Sequence, residues 1–255
     1  MATPPAPLTT PRRPALKELV AHSTLAGLCC LFPIPFIDDW LRDRVRRHQA
    51  RRLTRAAGLA FDDKQIEVLA CGYTPLTARG CVVGTLLWPF RFLFNLLIKK
   101  LLRKIIFVLA IKDCVDTFSQ VFHEVYLLRH ALDRGALSPD DPAQRLWVRR
   151  MIEAVRDDVD PRPVERWAGR AFRGSGRLLK ASLRQVGSFL GLRRRRASDQ
   201  EVFENLQGAE SPAFSAVVDE LTAEIEGEAG YLRALEARLE QKLGLRREGP
   251  DRPGL

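Results

Sequence analysis

The stretch that decides the fold is CVVGTLLWPFRFLFNLLI, residues 81–98, which opens the most apolar region of the chain. Phe, Leu and Ile dominate it, and it lacks the apolar–polar alternation typical of a half-buried strand. The apolar character continues past residue 98. The pattern predicts one long helix that begins at about Thr85 or Pro89 and runs through Tyr126 to Leu132.

Composition and periodicity predict an all-α fold for the rest of the chain. Apolar residues make up 46% and charged residues 28% of the 255 residues. This composition supports a sizeable core, and it excludes a disordered chain, a disulfide-stapled miniprotein and a collagen-like fibre. We therefore predict a helical bundle with a long apolar central helix or hairpin and a basic amphipathic helix. Lys112–Asp113 is the candidate position for a break in the central helix.

Local signals mark the ends of the other helices. Pro33 and Pro35 end a first helix over residues 15–31, because proline cannot donate a backbone hydrogen bond. Side chains suited to capping stand at later helix starts: Asp38 and Asp39 before Trp40–Ala57, Asp62 and Asp63 before a helix to Cys71, and Ser198 three residues before Glu201. Residues 138–142 predict a turn followed by the start of a further helix. We divide the chain into a flexible leader (1–14), a helical membrane-associated domain (15–190), a basic linker (191–200), an acidic helical segment (201–247) and a tail (248–255).

Charge is distributed unevenly along the chain. The formal net charge is +10, but residues 197–255 hold 13 acidic and 6 basic residues, a net charge of −7. Residues 1–196 hold 35 basic and 18 acidic residues, a net charge of +17. Such asymmetry indicates a polyanionic partner for the basic part, or pairing between the two parts.

Two uncharged or apolar segments favour contact with a membrane. Residues 19–37 carry no formal charge, although two prolines make them a poor spanning helix. A re-entrant segment, an interfacial segment and a buried core helix are the alternatives for them. In residues 81–104 a basic stripe opposes a broad apolar face, which is typical of a helix lying in the membrane interface. The stripe would contact lipid phosphate through Arg91, Lys99, Lys100, Arg103 and Lys104, and the residues expected to insert are Trp88, Phe90, Phe92, Phe94 and Ile98. Two alternatives stay open: a spanning helix, and a core helix whose basic side chains reach solvent.

A second basic stripe lies in residues 162–196, which hold eleven basic residues and one acid, Glu165. Its members are spaced by four and three residues, so a helix would place them on one cationic face: Arg166, Arg170, Arg173, Arg177, Lys180 and Arg184. Phe172 and Leu179 fall on another, apolar face. The cationic face suits anionic lipid, nucleic-acid phosphates or the acidic C-terminal helices, and the sequence does not choose among them.

Asp116, His123, Glu124 and His130 are the candidates for metal chemistry. Asp116, His123 and His130 are spaced by seven residues, so they share one helix face. The spacing differs from the His-Glu-x-x-His pattern of zinc enzymes, and a hydrogen-bonded polar stripe is the default interpretation. We expect no cofactor and no catalytic residue, since the chain has neither a phosphate-binding loop nor a nucleophile elbow.

Residues 31–38, Leu-Phe-Pro-Ile-Pro-Phe-Ile-Asp, precede a basic helix that carries Gln49 and ends near Gly58. This arrangement resembles the Pro-x-Pro-x-x-Asp entry of uncharacterised bacterial proteins of the YcjF type, and a similar domain is appended to some small GTPases. The resemblance covers about 30–60 residues. It implies a helical, membrane-associated bacterial protein without known catalysis, and it transfers no functional residue.

These observations favour a helical interaction or scaffold protein, not an enzyme, that binds anionic lipid at the cytoplasmic face of a bacterial inner membrane. An unidentified protein partner is expected, and no small-molecule substrate. One alternative is a soluble nucleic-acid-binding protein that uses the arginine stripe at 166–196. The other is a metal-dependent helical enzyme that uses the four metal candidates.

Overall fold

The computed structural model describes residues 13–30, 37–72, 103–174, 198, 200–201 and 212–248, and these residues contain helices and turns but no strand. The all-α prediction is therefore confirmed over this part of the chain. The helices are α1 (Arg13–Cys29), α2 (Ile37–Ala56), α3 (Asp63–Cys71), α4 (Arg103–Asp133), α5 (Pro142–Asp158), α6 (Arg162–Gly174), α7 (Pro212–Gly227) and α8 (Ala229–Glu248).

Helix α4 lies at the centre of the bundle and contacts α1, α2, α5, α6 and α8. Every residue from 121 to 128 is buried. A helix that is buried all round over two turns is stable only when other helices surround it. The break suggested at Lys112–Asp113 is absent, because α4 continues through both residues. Their side chains are exposed on one side of the helix.

Helix α1 packs closely on α4 at Gly27. A Cβ atom at this position would lie 2.8 Å from the carbonyl oxygen of Cys114 and 3.3 Å from Cβ of Phe118. The Ser23 and Thr24 hydroxyls each donate to the carbonyl four residues earlier at 2.8 Å, which allows them to be buried. Residues 19–29 of the uncharged segment lie in α1 and form a core helix, which is one of the alternatives left open by the sequence.

Several predicted helix ends are confirmed in detail. Asp62 caps α3 with a capping box that includes Gln65, and Asp141 caps α5 with Pro142 in its first turn. Ser198 and Glu201 form the expected reciprocal capping pair. The prediction for α2 was wrong by one turn: the helix begins at Ile37, and Asp39 pairs with Arg42 inside it.

The close approach at Gly27 predicts a specific loss of stability. Gly27→Ala should destabilise the fold by about 1–3 kcal/mol, because the added methyl group meets backbone atoms that cannot move aside independently. Gly230→Ala on α8 is the matched control, since nothing lies within 4 Å of its Cβ position. It should stabilise the protein by about 0.5–1 kcal/mol through helix propensity. Urea unfolding measures both changes, and equal effects of the two would refute the packing account.

Candidate functional site

Most of the predicted membrane contacts lie outside the described residues. These are the five insertion candidates Trp88, Phe90, Phe92, Phe94 and Ile98, the cations Arg91, Lys99 and Lys100, and Arg177, Lys180 and Arg184 of the second stripe. Arg103 and Lys104 belong to the first turn of α4, but only the backbone of that turn is described. Among the described residues, no helix is both long enough and apolar enough to cross a membrane.

Helix α6 carries the described half of the second basic stripe. Its side chains Arg166, Arg170 and Arg173 are exposed, whereas Trp167 and Phe172 on its other side are buried in the core. The ring of Phe172 meets Phe118 of α4 edge-on, and the ring of Trp167 meets Tyr231 of α8 in the same way. The core contacts therefore fix the orientation of α6, and the three guanidinium groups face outward.

One arginine of this face pairs with the acidic C-terminal segment. The Arg170 guanidinium lies 2.8 Å from the Glu224 carboxylate of α7, and both side chains are substantially exposed. The Arg173 guanidinium donates instead to the carbonyl of Gly169 at 2.7 Å. Internal pairing, one of the three alternatives for this stripe, is thus present at Arg170.

The same C-terminal segment makes a series of polar contacts elsewhere on the bundle. Helix α7 approaches α1 through Lys17 and Asp219, at 2.5 Å, and α8 approaches α5 through Lys242 and Asp158, at 2.6 Å. Both helices therefore pack on the rest of the bundle. Helix α7, which holds four acidic residues and no basic one, offsets part of the positive charge, whereas α8 supplies a lysine to an acidic partner.

The metal candidates of α4 have separate environments. Asp116 is exposed. His123 is buried, with Nδ1 2.6 Å from the Ser119 carbonyl and Nε2 2.6 Å from the Tyr231 hydroxyl. His130 lies 3.1 Å from a Glu240 oxygen. No cluster of three or more His, Cys, Asp or Glu side chains suited to a metal occurs in the described ranges. Hydrogen bonds between α4 and α8 account for both histidines.

Glu124 is a buried carboxylate among three arginines. Its Oε2 atom lies 3.0 Å from Nη2 of Arg149 and 3.6 Å from Nη2 of Arg46, and its Oε1 atom accepts from Arg156. Burial alone would raise the pKa of Glu124, but the three guanidinium groups together lower it below its usual value. Glu124 is therefore ionised, and its carboxylate joins α4 to α2 and α5.

Arg149 extends this buried network to α3. Its guanidinium also donates to the Leu69 carbonyl at 3.1 Å and to Glu153 at 2.8 Å, so several acceptors satisfy a side chain that is only 4% exposed. Sequence reasoning did not connect Glu124 to these arginines, because they lie on other helices. The basic side chains of α2 at positions 44, 48, 51, 52 and 55 were likewise not assigned to a site, although they follow helical spacing.

No protein-family model, curated protein or solved structure matches this chain. The resemblance to proteins of the YcjF type, which is based on the motif at residues 31–38, therefore stays a prediction.

The network around Glu124 predicts that its loss is costly. Glu124→Gln leaves Arg149 without its buried carboxylate partner and should destabilise the fold by about 3–5 kcal/mol. Glu153→Gln is the control, because the Glu153 carboxylate also contacts Arg149 but its side chain is 35% exposed. This substitution should lower the free energy of unfolding by about 1 kcal/mol or less. Chemical denaturation measures both, and a loss below that of Glu153→Gln would contradict the assigned role.

The buried histidines predict a fall in stability with acid. Burial lowers the pKa of His22 and of His123 to about 4, from a usual value of 6.5. Both side chains are therefore neutral in the folded protein. The free energy of unfolding is unaffected by them above pH 6.5 and decreases as the pH falls toward 4, because the unfolded chain then binds more protons than the folded one. Each histidine should lower the free energy of unfolding by about 2 kcal/mol between pH 7 and pH 5. Unfolding at both pH values should show a smaller pH dependence for His123→Gln than for wild type; an unchanged dependence would contradict the assignment.

Proposed function

We propose that this protein is a helical interaction or scaffold component that binds anionic lipid surfaces, at the cytoplasmic face of a bacterial membrane. The observation that supports the proposal is the exposed arginine face of α6, formed by Arg166, Arg170 and Arg173. The buried side chains Trp167 and Phe172 anchor the same helix in the core. The face is thus displayed by a packed helix whose orientation does not depend on the lipid.

The electrostatic contribution of this face is substantial but reversible. Each basic side chain near an anionic surface contributes about 1 kcal/mol, and the contribution falls within a Debye length. In the sequence the same spacing continues through Arg177, Lys180 and Arg184. Six such charges would hold a protein on a surface, and salt would release it.

The pair between Arg170 and Glu224 does not prevent lipid binding. Its two side chains are 55% and 38% exposed, and a pair at this exposure contributes about 1 kcal/mol or less. Lipid phosphate can therefore replace the Glu224 carboxylate without disturbing the core.

A second attachment would come from the apolar segment. We propose that Trp88, Phe90, Phe92, Phe94 and Ile98 enter the membrane interface, with Arg91, Lys99, Lys100, Arg103 and Lys104 at the phosphate level. Stable anchoring of peripheral proteins requires two such signals, since one alone gives weak binding. The arginine face of α6 and this segment would supply them.

Vesicle co-sedimentation tests the role of α6. Wild type should pellet with vesicles of phosphatidylcholine and phosphatidylglycerol, and pelleting should decrease with the phosphatidylglycerol fraction. The double variant Arg166→Gln/Arg173→Gln should bind about thirtyfold more weakly, because two contributions of about 1 kcal/mol are removed.

The matched control is Arg150→Gln/Arg233→Gln, which removes the same charge from exposed positions of α5 and α8. Equal losses in both double variants would refute the role of α6. Stronger binding to duplex DNA than to anionic vesicles, with a steep dependence on salt, would instead favour the nucleic-acid alternative.

A further inference from the structure

A cleft of about 400 Å³ lies beside α2 on a part of the surface that the lipid proposal does not use. Helix α2 contributes one face to its lining, with Arg44, His48, Arg51, Arg52 and Arg55. Asp63 at the start of α3, Ser198 and Gln200 complete the described lining. The five residues from α2 follow the helical repeat of three and four, so their side chains point in one direction. The volume is in the range of small-molecule sites.

The lining carries an excess of positive charge. Among the described lining residues, four carry guanidinium groups and one, Asp63, carries a carboxylate. Asp63 lies 2.7 Å from Arg51, and Glu18 of α1 lies 2.9 Å from Arg52. Like charges at this helical spacing destabilise an isolated helix. A bound polyanion would reverse that repulsion, because it would interact with several guanidinium groups at once.

The arginines are held in defined positions. The Arg44 guanidinium lies 5.4 Å from the centre of the Trp40 ring, a distance typical of a cation–π contact. Arg51 contacts the Asp63 carboxylate, and Arg52 contacts the Glu18 carboxylate. Planar guanidinium forks held in this way match the oxygens of a phosphate group, with which they form paired, charge-assisted hydrogen bonds.

Polar groups at the other wall suit the same ligand. The Ser198 backbone amide donates to Glu201 at 2.8 Å, and the Glu201 amide donates to the Ser198 hydroxyl at 3.2 Å. This capping pair holds the Ser198 hydroxyl at the cleft, and the Gln200 amide lies beside it. The cleft thus combines several cationic groups with neutral hydrogen-bonding groups, the chemistry expected around a phosphorylated compound.

We propose that this cleft binds a terminal phosphate or pyrophosphate group, carried either by a soluble phosphorylated compound or by the headgroup of a phosphorylated lipid. The site is distinct from the arginine face of α6 and does not depend on it. Arg51 and Arg52 would grip the phosphate, and Arg55 would add charge at the rim.

Calorimetric titration with inorganic pyrophosphate tests the soluble source. Wild type should bind pyrophosphate, and Arg55→Gln should weaken binding about tenfold through the loss of one charge-assisted contact. Arg51→Lys keeps the charge but loses the fork geometry, so it should also weaken binding. Arg150→Gln on α5 is the control and should bind as wild type does, as should Arg166→Gln/Arg173→Gln. Thermal unfolding confirms that each variant is folded.

Vesicles test the lipid source. Phosphatidic acid exposes a terminal phosphate, whereas phosphatidylglycerol of equal mole fraction does not. A preference for phosphatidic acid that Arg55→Gln abolishes would support the site with a lipid ligand, and pyrophosphate binding without that preference would support it with a soluble ligand. Absence of both in wild type would overturn the proposal, as would equal losses in Arg55→Gln and Arg150→Gln. Failure of the α6 variants to affect vesicle binding would overturn only the lipid proposal.

Discussion

The ionised carboxylate of Glu124 is the constraint on which the arrangement of the bundle depends. It is 3% exposed, and it is stabilised only because Arg46, Arg149 and Arg156 approach it from α2 and α5. A buried charge that lost these partners would carry a desolvation penalty of several kcal/mol. The network therefore fixes how α2 and α5 sit against the central helix α4. It also determines which way the remaining arginines of α2 face, because Arg46 points inward while Arg51 and Arg55 line the outer cleft.

The two candidate binding surfaces share one principle: each is the outer side of a helix whose inner side is held by the core. In α6 the buried side chains are Trp167 and Phe172, and the exposed ones are Arg166, Arg170 and Arg173. In α2 the anchors are Leu41 and Val45, together with the Arg46–Glu124 pair. The acidic helix α7 offsets part of the positive charge, and the three arginines of α6 stay exposed. The charge asymmetry of the sequence is therefore partly internal and partly available to a partner.

The sequence predicted what depends on neighbouring residues and missed what depends on distant ones. The caps at Asp62 and Ser198 were predicted because a cap needs only a side chain and the next turn of backbone. The break at Lys112–Asp113 was wrong because two exposed charges do not interrupt a helix whose other side is packed. Glu124 was proposed as a metal candidate because its arginine partners, of which Arg149 is 25 residues away, become visible only in three dimensions. The stripe of α6 was predicted from spacing alone, but its pairing with Glu224 was one alternative among three.

The most direct test of the lipid-binding proposal is fractionation of cells that express the protein, followed by washes of the membrane pellet with high salt and with carbonate. The proposal predicts that the protein pellets with membranes at low salt and that Arg166→Gln/Arg173→Gln increases the soluble fraction. Resistance to both washes would identify residues 81–98 as an inserted anchor, and release by salt alone would identify the arginine face as the main attachment. Wild-type protein that stays entirely in the supernatant at low salt would contradict the proposal.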